Sequence, residues 1–152
     1  RVEINHASGN RDDSDRHWRR FNNLFPTNHG FYGYMDLASW SSSLNGAVGF
    51  GLTPHRVMAL SVNYWILARG SKQDGWYNAG GMQLAPAPDP ASPTSHDDEL
   101  MLGHEVDLTI DFTVNKHVKI MNGFGSFIPQ GYARVRGQDI QLWAYSMMIV
   151  GF

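Results

Sequence analysis

The sequence predicts an all-β fold: an antiparallel, up-and-down transmembrane β-barrel, of which this chain supplies about six strands as a partial barrel. Three observations predict it. Leu102 to Val114 (LGHEVDLTIDFTV) alternates over thirteen residues, with Leu102, His104, Val106, Leu108, Ile110, Phe112 and Val114 on one parity and Gly103, Glu105, Asp107, Thr109, Asp111 and Thr113 on the other. Side chains alternate across a strand, so this spells one apolar and one carboxylate-rich face, which a helix would scatter around its circumference. At ~3.3 Å per residue the stretch reaches roughly 43 Å, and a tilt of about 40° projects that onto the ~30 Å of a bilayer core. Finally, the connections between strand-like segments run long, short, long, short, medium, as barrels with short periplasmic turns and longer outer loops require.

Each element follows in order. Arg1 to Ser8 alternates weakly, with Val2 and Ile4 opposite Glu3 and Asn5, and reads as the end of a strand. Gly9 to Arg20 is a charged loop. Phe21 to Asp36 (FNNLFPTNHGFYGYMD) is aromatic but broken by Pro26, Gly30 and Gly33, so it reads as an ordered loop with one short helical turn. Trp40 to Leu52 alternates again, with Trp40, Leu44, Val48, Phe50 and Leu52 outward. Thr53-Pro54-His55 is a turn. Arg56 to Arg69 keeps Met58, Leu60, Val62, Tyr64 and Ile66 outward, with Ser61, Asn63 and Arg69 inward, although Trp65 and Leu67 interrupt the alternation. Gly70 to Leu100 is a connection whose APAPDPASP disfavours ladder pairing, because proline donates no hydrogen bond. Asn115-Lys116-His117 turns the chain into Val118 to Ile128. Pro129 to Asp139 is a loop, and Ile140 to Phe152 is the last strand. Trp40, Tyr64 and Phe152 suit an interfacial aromatic girdle.

Composition narrows the function. The 152 residues make one domain, and a net charge of -2 marks no nucleic-acid binder. With 16 glycines, 8 Phe, 6 Tyr and 5 Trp but no cysteine, the chain suits strands, turns and girdles and excludes disulfides and thiolate metal sites. No run of about 18 apolar residues exists for a membrane-spanning helix. Without an opening signal peptide, the chain reads as a mature or truncated piece.

Three features resemble a known family. Phe152 closes an alternating apolar segment, as in bacterial outer-membrane barrels. Ala7 to Asp15 (ASGNRDDSD), followed by FNNLFPTNHGFYGYMD, is similar to the alginate-export (AlgE-like) porins, as are DGWYNAGG (Asp74 to Gly81) and LGHEVDL (Leu102 to Leu108). The resemblance covers nearly the whole chain. It implies a channel in the bacterial outer membrane for passive passage or export of a polar or anionic solute such as alginate-type polysaccharide. Family barrels exceed six strands, so residues 1–152 read as the C-terminal portion of the barrel domain. Alone they would leave two unpaired edges in lipid. Lipid and lipopolysaccharide are then the neighbours, periplasmic export partners are admitted, and no cofactor is needed.

The candidate pore lining is Glu105, Asp107, Asp111, Lys119, Arg69 and Asn63. The carboxylates would favour cations or pair with Lys119 and Arg69, whereas a path for alginate calls for basic residues. Arg11, Arg16, Arg19 and Arg20, with Arg134 and Arg136, could form an electropositive mouth, or else a solvated face or a lipopolysaccharide contact. His29, Tyr32 and Asp36, with Trp76 and Tyr77, are candidate solute-contacting residues of the mouth loops; His29 could contact a ligand or gate the lumen, and the favoured reading of its loop is a structural plug held by its own aromatics. His96 to Glu99 (HDDE) lacks the glycine turn and spacing of a calcium loop and reads as acidic loop rather than metal site. No nucleophile elbow or phosphate loop occurs, so no enzyme is expected. Two rivals remain. One is a soluble lipocalin-like ligand-binding module, whose core would be the apolar faces. The other is a barrel lipase or protease.

Overall fold

The computed structural model describes residues 1–12, 15–27, 29 and 31–152. Six strands form one antiparallel sheet: β1 (Val2–Ala7), β2 (Ser43–His55), β3 (Met58–Arg69), β6 (Met101–Asn115), β7 (Val118–Pro129) and β8 (Gln141–Val150). Their order is β1-β2-β3-β6-β7-β8, so every neighbour in the sheet is the next long strand in the chain, and the sheet is not closed. A two-stranded hairpin, β4 (Trp76–Tyr77) and β5 (Gln83–Ala85), and one helical turn, α1 (Gly131–Val135), lie in the connections.

One parity rule runs through all six strands. Even-numbered residues stand on an outer face, with Ile4, Val48, Phe50, Val62, Phe124, Leu142 and Met148 exposed there; Ala68 and Leu102, at the register shift, are buried exceptions. Odd-numbered residues face inward. Rows cross the inner wall in register: Gly49, Asn63, Asp107, Gly125 and Trp143 form one, and Gly51, Ser61, Thr109, Gly123 and Tyr145 form the next. Antiparallel pairing gathers the short turns and the end of β8 at one rim and the three larger loops at the other. At the short-turn rim His117 accepts from the Gly151 N–H at 2.9 Å, tying the β6–β7 turn to the end of β8.

The packed core lies between the inner wall and the loops that fold onto it. Trp65, Leu67 and Phe127 meet Leu37, Ala38, Trp76, Ala85, Tyr132 and Ala133 there. Large side chains taken out of water contribute about 1.5–3 kcal/mol each, which offsets the ordering of the loops. This explains Trp65 and Leu67. They obey the parity rule, and their inward face is apolar because loops cover it.

Several expectations change. Leu102 is not on the outer face: the β3–β6 register shifts between Leu67 and Ala68, and the irregularity puts Leu102 in the core. The first short turn is Arg56-Val57 rather than Thr53-Pro54-His55. Pro54 is accommodated within β2 because the ladder skips from the Leu52–Leu60 pair to His55–Met58, so no N–H is needed from it. Trp40 precedes β2 and packs on Phe21 and Tyr32 at 5.8 and 5.9 Å, in the loop rather than at a strand end. Among the described residues Phe21 to Asp36 holds no helix, and the expected break at Gly30 lies outside them. The one helical turn belongs to the last loop instead.

Candidate functional site

The inner wall beneath the first loop holds the candidate site. Glu105 and Asp107 stand there on β6, both buried. The Met35 N–H donates to Glu105 Oε1 at 2.9 Å, and the Tyr34 N–H donates to Asp107 Oδ2 at 3.2 Å. Two carboxylates expected to face water thus seat two consecutive amides of the loop. Gly33 makes the approach possible. Its φ of +98° is left-handed, and a Cβ there would collide with the Glu105 carboxylate.

Lower on the same wall Asp111 meets Lys119 at 2.7 Å, both partly exposed, as the expected pairing had it. Asn63 lies between Gly49 and Asp107 across the sheet. Arg69 is buried at the end of β3 and reaches neither Glu105 nor Asp107. Its guanidinium donates to the carbonyls of Lys72, Asp74, Asp97 and Glu99 at 3.1, 2.9, 2.8 and 2.5 Å and lies 3.5 Å from the Tyr132 ring centre. Five donors in a planar fork suit this task, gathering both ends of the Gly70 to Leu100 connection around one cation.

On β8 the inner residues Trp143 and Tyr145 lie 4.7 Å apart between ring centres. His29 stacks on Trp143 at 5.7 Å, and Tyr34 stacks on Tyr145 at 5.9 Å. His29 is held at a φ of +54°, its N–H donating to Asp36 Oδ1 at 2.7 Å. Between these rings lies a cavity of about 430 Å³ lined by His29, Tyr34, Met121, Trp143, Tyr145, Ser146 and Met147. Neither Trp143 nor Tyr145 stood among the expected site residues, although their odd parity in the last strand was a usable signal.

Two blocks that carry the family resemblance therefore interlock: GHEVDL seats FYGYMD on the wall. The sequence profile of the alginate export family matches residues 1–139. The chain belongs to the alginate export family. No curated protein and no solved structure matches it.

In this alginate export chain three loop arginines among the described residues pair with acids. Arg19 pairs with Asp15 at 2.5 Å, Arg20 with Asp74 at 2.8 Å, and Arg136 with Asp97 at 3.2 Å, while Arg134 stands exposed. Arg11 lines a cavity of about 450 Å³ at the rim of the larger loops with Asp12, Lys72, Asp97 and Asp98. Asp97 is held below the usual carboxylate range by the Thr94 hydroxyl and amide first, with Arg136 adding to it. In the HDDE segment His96 meets Glu99 at 2.5 Å and Asp98 meets Lys72 at 3.6 Å.

Asp74, in the DGWYNAGG block, is the organising residue that sequence reading passed over. It accepts from the Asn10 N–H at 2.6 Å, from Arg20 Nε and from the Tyr77 hydroxyl at 3.0 Å. Arg20 in turn lies over the Tyr77 ring at 4.1 Å. Burial, then the Asp74 charge and its hydrogen bond, push the Tyr77 hydroxyl up to about 12. Trp76 is buried and donates to the Leu37 carbonyl at 2.5 Å. The Tyr32 hydroxyl is likewise raised to about 12, by burial and then by Glu3.

Proposed function

We propose that this chain is one wall of a bacterial outer-membrane channel that passes a polar solute, with an alginate-type polysaccharide the solute the family suggests. The observation that carries the reading is the two-sidedness of the sheet. Its apolar even face is left open, with Val2 79 %, Phe50 68 % and Leu142 80 % exposed, while the odd face packs Trp65, Leu67 and Phe127 against the loops and turns polar further along, at Thr109, Asp111 and Lys119. Lipid suits the first face and a watered passage the second. The soluble-module reading needs the even face as its core, and the packing has it the other way round. Passage makes and breaks no covalent bond, and no residue is assigned a catalytic role.

The half-exposed Asp111–Lys119 pair is the part of the acidic wall that we assign to the passage. Glu105 and Asp107 are assigned to seating the loop. Acid partners at Arg19, Arg20 and Arg136 temper the basic field of the mouth, to which the exposed Arg134 adds. In planar bilayers the complete gene product should give steady single-channel conductance with weak ion selectivity. Replacing Lys119 with Met should move the reversal potential towards cation preference, because Asp111 loses its counter-charge. Block by oligo-alginate would support the polysaccharide as solute. Absence of any conductance would sink the channel.

A further inference from the structure

We propose that the rim of short turns binds the phosphate of an anionic phospholipid through Arg56 and Lys116. The inference rests on the channel reading and adds a partner at the membrane edge. From Leu37 to Gln73 and from Phe112 to Gln138 the sequence has no Asp or Glu. Both short turns, Arg56-Val57 and Lys116-His117, fall inside these stretches. The acid closest to them along β6 is Asp111, which is already paired with Lys119. Arg56 and Lys116 are exposed and pair with no acid among the described residues. At the opposite rim Arg20, Lys72 and Arg136 all do.

The two turns lie side by side. The Thr113 N–H donates to the Val57 carbonyl at 2.8 Å, one step beyond the Met58–Phe112 pair. The ladder thus carries Arg56 to the level of Val114, within two residues of Lys116. The imidazoles nearby are tied into the turns themselves. His55 Nδ1 accepts from the Val57 N–H at 3.4 Å, and His117 Nδ1 lies 3.0 Å from the Gly151 carbonyl. Arg56 and Lys116 are left as the cations that face the surroundings.

The level of the apolar belt decides the partner. Along the outer face of β6, Val106, Leu108, Ile110, Phe112 and Val114 are all apolar. His104, 2.7 Å from the Tyr64 hydroxyl, is the first polar side chain towards the loops. The ten positions from His104 to Val114 run ~33 Å along the strand and rise ~25 Å at a tilt of about 40°, the height of a membrane barrel's apolar band. The band therefore ends at Val114, 56 % exposed, level with Arg56. A lipid's phosphate lies just outside its acyl chains, so chains resting on Phe112 and Val114 bring it to the two cations. A soluble anion would meet the same charge without the contact with the belt. Phosphatidylcholine carries its own cation beside the phosphate, so the rim favours a lipid that does not.

The test uses the complete gene product in phosphatidylcholine vesicles, with a fluorophore on Val114→Cys and brominated lipids as quenchers. Brominated phosphatidylglycerol should quench at a lower mole fraction than brominated phosphatidylcholine, by roughly 5-fold for each of the two cations. Arg56→Gln/Lys116→Gln should abolish the preference, Arg56→Lys should keep most of it, and added salt should weaken it. Either single glutamine variant should lower it about 5-fold, which decides the matter should the double variant fail to insert. Equal quenching by the two lipids, the result if a soluble anion is the true occupant, overturns the site. So does a preference that the double variant keeps. With conductance intact, either result leaves the channel standing. Preference without conductance strikes the channel alone, and a protein that stays out of the vesicles overturns both.

Discussion

Removing the two carboxylates that seat the first loop should release it from the wall. In Glu105→Ala/Asp107→Ala the Met35 and Tyr34 amides lose acceptors at 2.9 and 3.2 Å, both on buried side chains. A hydrogen bond to a charged acceptor is worth about 1.5–3 kcal/mol net. The pair sits at the low end, because two buried carboxyls two residues apart on the same face do not both hold a full charge. A net loss of about 2–4 kcal/mol raises the population of unseated loop roughly 30- to 900-fold. The assay is protease nicking between Phe21 and Asp36 in vesicle-reconstituted protein, under conditions where opening is fast and the rate follows the open population. Glu105→Gln keeps an acceptor for Met35, so it should stay close to wild type. Nicking of the double alanine variant at the wild-type rate would refute the reasoning, since the loop would then be held by something other than these bonds.

Two further outcomes follow from the outer loops. Arg69→Met removes the donor to four carbonyls, and a loss of about 3–5 kcal/mol should lower the urea midpoint in detergent micelles, with Arg69→Lys recovering part of it. An unchanged midpoint would mean that the fork is not what ties the Gly70 to Leu100 connection. The Tyr77 hydroxyl, raised to about 12 by burial and Asp74, contributes stability present below the unfolded value of about 10 and lost as pH rises through 12. Protease sensitivity near Asp74 should therefore climb across that window and lose this dependence in Tyr77→Phe; tyrosinate absorbance appearing near pH 10 with the loop intact would contradict it.

The sheet was legible because its cause is local. Alternation depends only on which residues neighbour each other along a strand, and the odd–even rule read from Leu102 to Val114 holds along all six strands except at the register shift beside Ala68 and Leu102. What failed depends on partners far away in the chain. Leu102 obeys parity in the sequence, but a register shift set by β3 turns it into the core. Trp65 and Leu67 looked irregular because the loop that buries them is brought in by residues about thirty positions earlier. Pro54 signalled a turn on sound grounds, yet a skipped ladder pair two residues before the real turn serves it equally well. The site was half legible. Parity placed Glu105 and Asp107 on the inner wall, but nothing in the sequence said that backbone amides would cover them, or that Asp74 would gather Asn10, Arg20 and Tyr77.

Because each long strand pairs only with the long strands next to it in the chain, the width of this wall is a quantity that can change in units. Gaining or losing one hairpin beyond β1 alters the sheet by about 10 Å, two strand spacings, and leaves the contacts between β6 and the first loop as they are. Width and closure are thus independent in this fold: hairpin number sets the span of the sheet, and the GHEVDL–FYGYMD lock depends only on its own strand and loop.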